Sequence, residues 1–206
     1  MPFGAIQIIA TMGGAWLATY LKKKSPVLVL LCIPPIIGII MLMTLEYKPS
    51  NRGVLLLGYY LISFYPGISP LIYSWSAQNT AGDTKKKVTT GMLFVGQSAG
   101  NIVGPLLYRP SEAPRYARGL RSNLCLFIAI MILVCIAVAW VKILNRKHAQ
   151  QRVALGKSAD IVDLSMESKR ETREKQEALN QGDNHVGEKG FDDETDLNNE
   201  DFIYLY

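Results

Sequence analysis

Five side chains inside otherwise apolar stretches have the chemistry to bind a small polar molecule. They are three hydroxyls and two amides, in Tyr65, Ser69, Tyr73, Gln97 and Asn101. Hydrocarbon offers such groups no hydrogen-bond partner, so each needs another helix, a ligand or a water-filled cavity. We therefore treat them as candidate substrate-binding residues. The alternative for the two amides is a hydrogen bond across a helix pair, which is worth about 0.6 kcal/mol in membrane bundles.

The two amides lie in residues 88–108, an uncharged stretch flanked by residues 85–87 (three lysines) and by Arg109. As a helix rising about 1.5 Å per residue, this stretch is long enough to cross a bilayer core of about 30 Å. Gly96, Gly100 and Gly104 recur within it at intervals of four. Two overlapping G-x-x-x-G units predict a helix face that packs closely against another helix. Tight packing with no functional role remains the alternative for these glycines.

Charge divides the chain into two parts. Residues 1–144 hold 13 Lys/Arg and 3 Asp/Glu, for a net charge of +10, whereas residues 145–206 hold 9 and 14, for −5. The overall charge of +5 therefore averages a basic membrane part and an acidic tail. Since the basic residues of the first part lie in short segments between apolar runs, we expect no nucleic-acid partner.

The apolar runs predict an all-α membrane protein with five transmembrane helices and a polar tail at residues 145–206. The predicted spans are residues 3–21, 27–45, 54–78, 88–108 and 123–144, and their partner is the lipid bilayer. The third span contains Pro66-Gly67-Ile68-Ser69-Pro70, which cannot be regular helix throughout. Broken helix at membrane depth is tolerated where it is buried in protein or faces a water-filled cavity.

The loop charges predict an orientation. Ten Lys/Arg near the span ends fall on one side and six on the other. By the positive-inside rule the ten-residue side is cytoplasmic, which puts the tail inside and Met1 outside. An odd number of spans with this N-terminus leads us to expect further sequence upstream.

The tail has too few apolar residues for a core of its own. We expect it to be largely disordered, with partial helix over residues 149–181 and a frayed end at Phe202–Tyr206. Docking of that apolar end onto a partner is the alternative.

The residues also argue against several chemistries. Cys32, Cys125 and Cys135 lie in apolar runs and predict reduced packing residues. His148 and His185 are far apart without ligands at suitable spacing, so we expect neither a metal site nor another cofactor. No Asp, Glu, Lys or Arg falls in the middle of a span, and hydrolase and nucleotide-binding motifs are absent. We therefore do not expect an enzyme.

The sequence resembles fungal allantoate permease-like transporters, in the anion:cation symporter branch of the major facilitator superfamily. The resemblance covers about residues 1–160. It rests on three motifs, which are QNTAGDTK at residues 78–85, GNIVGP at residues 100–105 and APRYARG at residues 113–119.

The resemblance implies twelve helices in two halves, with the five spans corresponding to helices eight to twelve. It further implies that the third span lines a central cavity, that the first and fourth contact the other half, and that the second and fifth face outward. Helices one to seven would be a missing N-terminal partner. The implied function is proton-coupled transport of a small organic anion or vitamin-like carboxylate, in the plasma membrane. A truncated membrane protein that pairs with a full-length transporter and modulates it remains the second hypothesis.

Overall fold

The computed structural model describes residues 2–156, 195–197, 199 and 202–206, and these residues contain helices and no strand. Three short 3₁₀ segments connect the helices, at Pro49–Asn51, Tyr65–Gly67 and Pro110–Glu112. The six α-helices are α1 (Pro2–Leu21), α2 (Ser25–Thr44), α3 (Arg52–Ile62), α4 (Ile68–Gln78), α5 (Asp83–Leu106) and α6 (Ala117–Ala154). The predicted all-α class is confirmed.

The predicted third span is interrupted where its sequence required it. Helix α3 ends at Ile62, a 3₁₀ turn occupies Tyr65–Gly67, and α4 begins at Ile68. By contrast, α2 continues through Pro34 and Pro35. Helices α5 and α6 begin earlier than the apolar runs predicted, at Asp83 and Ala117, and α6 continues to Ala154. Polar residues at these ends continue the helices because intrahelical hydrogen bonds do not require apolar side chains.

Four segments are long and apolar enough to cross a membrane, namely Phe3–Leu21, Ser25–Thr44, Pro49–Gln78 and Ala117–Ala154. The chain is accordingly an integral membrane protein with several spans. Helix α5 has 24 residues and would extend about 36 Å at 1.5 Å per residue. Its Gly, Thr, Gln and Asn residues make it less apolar than the other four segments. Its crossing of the bilayer therefore stays a prediction.

One face of helix α2 lies at the centre of the bundle, while the opposite face, with Leu30, Ile33, Ile37 and Ile40, is exposed. Its Val27, Leu28 and Cys32 are at most 1% exposed, and α3 and α6 pack against it. The core that forms around it also includes Ala18, Leu31, Ile68, Leu71 and Val134. Because α2 carries almost no polar side chains, neither its packed face nor its exposed face leaves a polar side chain unpaired.

The closest approach between two helices occurs where α2 crosses α3. A Cβ added to Gly38 would lie 2.4 Å from the carbonyl oxygen of Gly58, and one added to Gly58 would lie 3.2 Å from that of Gly38. The missing side chains therefore bring two backbones together, as small residues do in membrane bundles. The predicted close packing through glycines was placed on α5, whereas in the described residues it occurs between Gly38 and Gly58.

Helix α5 stands at the edge of the bundle. It packs against α4 and has no buried residue. No atom of the described chain lies within 4 Å of a Cβ added to Gly96, Gly100 or Gly104. The glycine row therefore faces open space in this chain.

The C-terminal residues Phe202–Tyr206 lie against the bundle, so the expected frayed end is wrong. Tyr204 and Leu205 are 4% and 7% exposed. The rest of the predicted disordered tail and of the helix over residues 149–181 lies mostly outside the described residues, although α6 does include residues 149–154.

We predict that Gly38→Ala destabilises the bundle, because its methyl group would collide with the backbone of α3. Overpacking of this kind costs about 1–3 kcal/mol, so the thermal midpoint of the chain in detergent, measured by fluorescence-detected size-exclusion chromatography, should fall. Gly100→Ala is the matched control, since its methyl group meets no atom within 4 Å and Ala favours helix. Equal midpoints for the two variants would contradict the α2–α3 contact.

Candidate functional site

The break between α3 and α4 is held by protein on both sides. Ser63 is fully buried, and its hydroxyl donates to the carbonyl oxygen of Tyr60 at 2.6 Å. On the other side of the turn, a Cβ at Gly67 would lie 2.9 Å from the carbonyl oxygen of Ala10. Glycine therefore lets the turn press directly on α1. The irregular backbone is buried in protein, as it must be at membrane depth.

Tyr65 and Ser69 line a groove of about 400 Å³ between α4 and α6. Asn123, at the start of α6, joins them as the third polar residue of this groove. The remaining lining residues are apolar and are Ile62, Ile68, Ile72, Leu126, Phe127 and Ile130. An apolar groove with a few convergent polar groups has the general character of a small-molecule site. Sequence reasoning missed Asn123 because it stands at the edge of its apolar run.

Tyr73 and Gln97 meet on another side of α4. The hydroxyl of Tyr73 donates to Oε1 of Gln97 on α5. The ring of Tyr73 also packs against Phe94, with the ring centroids 5.0 Å apart. These two contacts join α4 to α5, so the polar face predicted on α5 does contact the broken span.

Asn101 follows Gln97 by one helical turn and is exposed. Within the part of the chain that the structure describes, its amide makes no hydrogen bond. The five predicted binding residues thus form a pair on the groove (Tyr65 and Ser69), a pair between helices (Tyr73 and Gln97) and one uncovered amide. Tyr73 and Gln97 satisfy each other, whereas Asn101 still lacks the partner that hydrocarbon cannot supply.

A buried lysine lies between the ends of α1 and α4. Lys24 is 5% exposed, and its ammonium donates to the hydroxyl of Ser74. Burial lowers the pKa of Lys24 to about 8, because a low-dielectric environment disfavours the charged form. From the sequence alone Lys24 was one of three similar lysines at a span end, and nothing distinguished it from the others.

Among the described residues, no group of three or more His, Cys, Asp or Glu side chains is arranged to hold a metal ion. The three cysteines are free thiols, with Cys32 buried and the other two exposed. The site therefore consists of hydroxyl and amide groups in apolar surroundings, which can bind and orient a ligand.

Comparison with known proteins gives a class that fits this architecture. An uncharacterized transporter of Schizosaccharomyces pombe is 32% identical over 134 residues, which are 63% of this chain and 25% of the relative. An MFS-type transporter of Penicillium expansum is 24% identical over 151 residues, 73% of this chain and 31% of the relative. A thiamine pathway transporter of Saccharomyces cerevisiae is 26% identical over 140 residues, 67% of this chain and 25% of the relative.

The chain spans between 25% and 31% of the length of these three curated relatives. They support the major facilitator superfamily, and their names support a transporter role rather than an enzymatic one. No protein-family model matches the chain. No solved structure matches it either.

A double-mutant cycle tests the contact between α4 and α5. We expect Tyr73→Phe and Gln97→Leu to be coupled by about 0.6 kcal/mol in the free energy of unfolding in mixed micelles, because each change removes the same hydrogen bond. The cycle of Tyr73→Phe with Asn101→Leu is the control and should be additive. Additivity at Gln97 as well would show that Tyr73 and Gln97 do not interact.

The shifted pKa of Lys24 predicts a pH dependence of stability. Between pH 8 and the ordinary lysine pKa of 10.5, the unfolded chain holds a proton that the folded chain has lost, so the free energy of unfolding rises with pH. Thermal midpoints between pH 7.5 and 9.5 should therefore rise more in the wild type than in Lys24→Met. Parallel pH profiles would refute the burial of Lys24.

Proposed function

We propose that this chain is the C-terminal part of a secondary active transporter of the allantoate permease-like family. It moves a small organic anion or vitamin-like carboxylate across the plasma membrane, coupled to protons, by alternating access. The observation that carries the proposal is the break between α3 and α4, beside which Tyr73 contacts α5 and Tyr65 and Ser69 line a groove with α6. Discontinuous helices at membrane depth are typical of transporter binding sites.

The candidate site offers a carboxylate ligand hydrogen-bond donors that carry no charge. Tyr65, Ser69 and Asn123 supply hydroxyl and amide donors around one groove, and Tyr73, Gln97 and Asn101 form a second polar side. No Lys or Arg lies in the middle of a span. Hydrogen bonds from uncharged side chains would therefore stabilise the ligand's negative charge in this part of the transporter. The relative named for a thiamine pathway supports a cargo of vitamin size.

Helix α5 supplies the contact to the rest of the transporter. Gly96, Gly100 and Gly104 have no covering atoms in the described chain, and close packing is what such a row permits. We propose that helices one to seven cover this row and slide along it. Since the spans here hold no carboxylate for a proton relay, proton coupling belongs to that other part.

The loop charges favour an orientation with the C-terminus in the cytoplasm. The opposite loop carries Arg109, Arg115, Arg118 and Arg121. Placed outside the cell, these arginines would raise the local concentration of anions, an effect that salt weakens.

Uptake measurements test this proposal. The chain would be expressed in yeast together with helices one to seven of a relative, and supplied with radiolabelled allantoate or with radiolabelled thiamine as a cationic comparison. We expect uptake of the anion, and a loss of at least about tenfold with Asn101→Leu because an unpaired ligand group costs about 1.4 kcal/mol or more. Ser98→Ala is the control on the same helix, since the Ser98 hydroxyl bonds to its own helix at the Phe94 carbonyl oxygen, 2.9 Å away.

Unchanged uptake with Asn101→Leu would remove that residue from the site. If the chain co-purifies with an intact transporter but supports no uptake with helices one to seven, the modulating membrane protein becomes the better hypothesis.

A further inference from the structure

The C-terminal segment (residues 202–206) is held by its backbone between α4 and α6. Asn79, directly after α4, donates to the carbonyl oxygen of Leu205 at 3.1 Å and accepts from its N–H at 2.7 Å. Asn145 on α6 does the same to Tyr204, at 2.8 and 2.9 Å. An amide side chain can donate and accept at once, so each asparagine pairs with both backbone groups of one residue. Asn79, at the end of α4, and Asn145, on α6, thus hydrogen-bond to neighbouring residues of the same segment.

Two further side chains contact the backbone of this segment. The indole of Trp75 on α4 donates to the carbonyl oxygen of Leu205 at 2.8 Å. Nδ1 of His148 on α6 lies 2.9 Å from the carbonyl oxygen of Phe202. These four side chains, from Trp75, Asn79, Asn145 and His148, form a site that recognises a peptide backbone. We call them the backbone clamp.

Outside the backbone clamp, a carboxylate connects the C-terminal segment to α5. The carboxylate of Asp196 pairs with Lys85 on α5 and accepts from the hydroxyl of Tyr204 at 2.9 Å. Burial alone would raise the pKa of Asp196, but the hydrogen bonds from Lys85 and Tyr204 hold it below its usual value. The carboxylate therefore stays charged and keeps its ion pair with Lys85 on α5.

The ring of Tyr206 lies between two lysines. The ammonium groups of Lys23 and Lys142 are each 5.3 Å from its centroid, within the range of a cation–π interaction. Lys23 follows α1 and Lys142 belongs to α6, so the C-terminal residues contact the ends of α1, α4, α5 and α6. Lys23, Lys85 and Lys142 consequently lie at one end of the bundle, which we call the lysine-rich end.

We propose that the C-terminal segment is a releasable latch that binds the backbone clamp and ties the helices together at the lysine-rich end. The proposal rests on the proposed function, because alternating access requires helix ends to separate on one side of the membrane. Bound, the latch opposes that separation. Released, it leaves the end free to open.

The chemistry of the contact permits both states. The clamp consists of amide, imidazole and indole groups at the end where the lysines stand, and the indole of Trp75 also packs against the core. If the segment leaves, water can satisfy these groups, so each lost hydrogen bond is largely replaced by one to water. Release would also expose the buried side chains of Tyr204 and Leu205, but it breaks no contact between two helices, so the bundle can stay folded, whereas separation of the Gly38–Gly58 contact would pull α2 away from α3.

Hydrogen–deuterium exchange of the full chain in nanodiscs tests the binding step. The amides of Tyr204 and Leu205 donate to Asn145 and Asn79, so we expect them to exchange at least about tenfold more slowly in the wild type than in Asn79→Ala/Asn145→Ala. Asn51→Ala is the matched control, because this asparagine donates to the carbonyl oxygen of Glu46 at 3.0 Å and not to the segment. Equal exchange in all three proteins would overturn the clamp.

Electron–electron distance measurements test the latching step. Nitroxides would be attached at Lys86→Cys on α5 and Lys147→Cys on α6, two exposed positions, with the three native cysteines replaced by alanine because Cys32 lies in the core. We expect a single narrow distance distribution in the wild type, and a broader one shifted to longer distances both in Asn79→Ala/Asn145→Ala and in a chain ending at Asp201. An unchanged distribution in the chain ending at Asp201 would overturn the latch even if the amides are protected.

Both readouts are independent of uptake. Failure of the chain to transport with helices one to seven counts against the proposed function, whereas unprotected amides or unchanged distances count against the latch.

Discussion

Hydrocarbon cannot hydrogen-bond to a peptide, and this constraint determines where each polar group of the bundle lies. Regular helix satisfies the backbone within itself, so irregular backbone survives only where protein surrounds it. The turn at Tyr65–Gly67 meets the condition because Ser63 is buried beside it and Gly67 rests on α1. The same requirement pairs Tyr73 with Gln97. A polar group at membrane depth in this chain is therefore either hydrogen-bonded within the chain or exposed on a surface that another helix would have to cover.

We propose that helix α5 is such a surface. Its exposed glycines leave backbone uncovered, and Asn101 has no hydrogen bond among the described residues. Lipid can cover the apolar side chains of α5 but cannot pair with an amide. The relatives are transporters of which this chain spans at most about a third, and a second bundle packed on α5 would satisfy both the glycines and the amide. The cavity would then be shared between the two parts.

The structural features that depend on nearby residues could be predicted from the sequence. Apolar length identified four segments that can cross a membrane. The two prolines and one glycine within residues 66–70 identified the break between α3 and α4, whereas Pro34 and Pro35 lie within the continuous helix α2. The sequence also placed Tyr73 and Gln97 in one site, and they do meet. It did not predict which face of α2 lies at the centre or the approach of Gly38 to Gly58, since both depend on which helix faces meet. The docking of residues 202–206 was missed for the same reason, because Asn79 and Asn145 are ordinary asparagines until the fold brings them to the same peptide.

The most direct test of the account asks whether another bundle covers α5. A nitroxide at Val103→Cys, beside the glycine row, would be compared with one at Leu133→Cys, an exposed position on α6, with the native cysteines replaced by alanine. Accessibility to oxygen dissolved in the bilayer would be measured for the chain alone and for the chain assembled with helices one to seven. If helices one to seven cover α5, assembly should sharply lower the oxygen accessibility at position 103 and leave the accessibility at position 133 unchanged. Equal accessibility at position 103 before and after assembly would contradict this account.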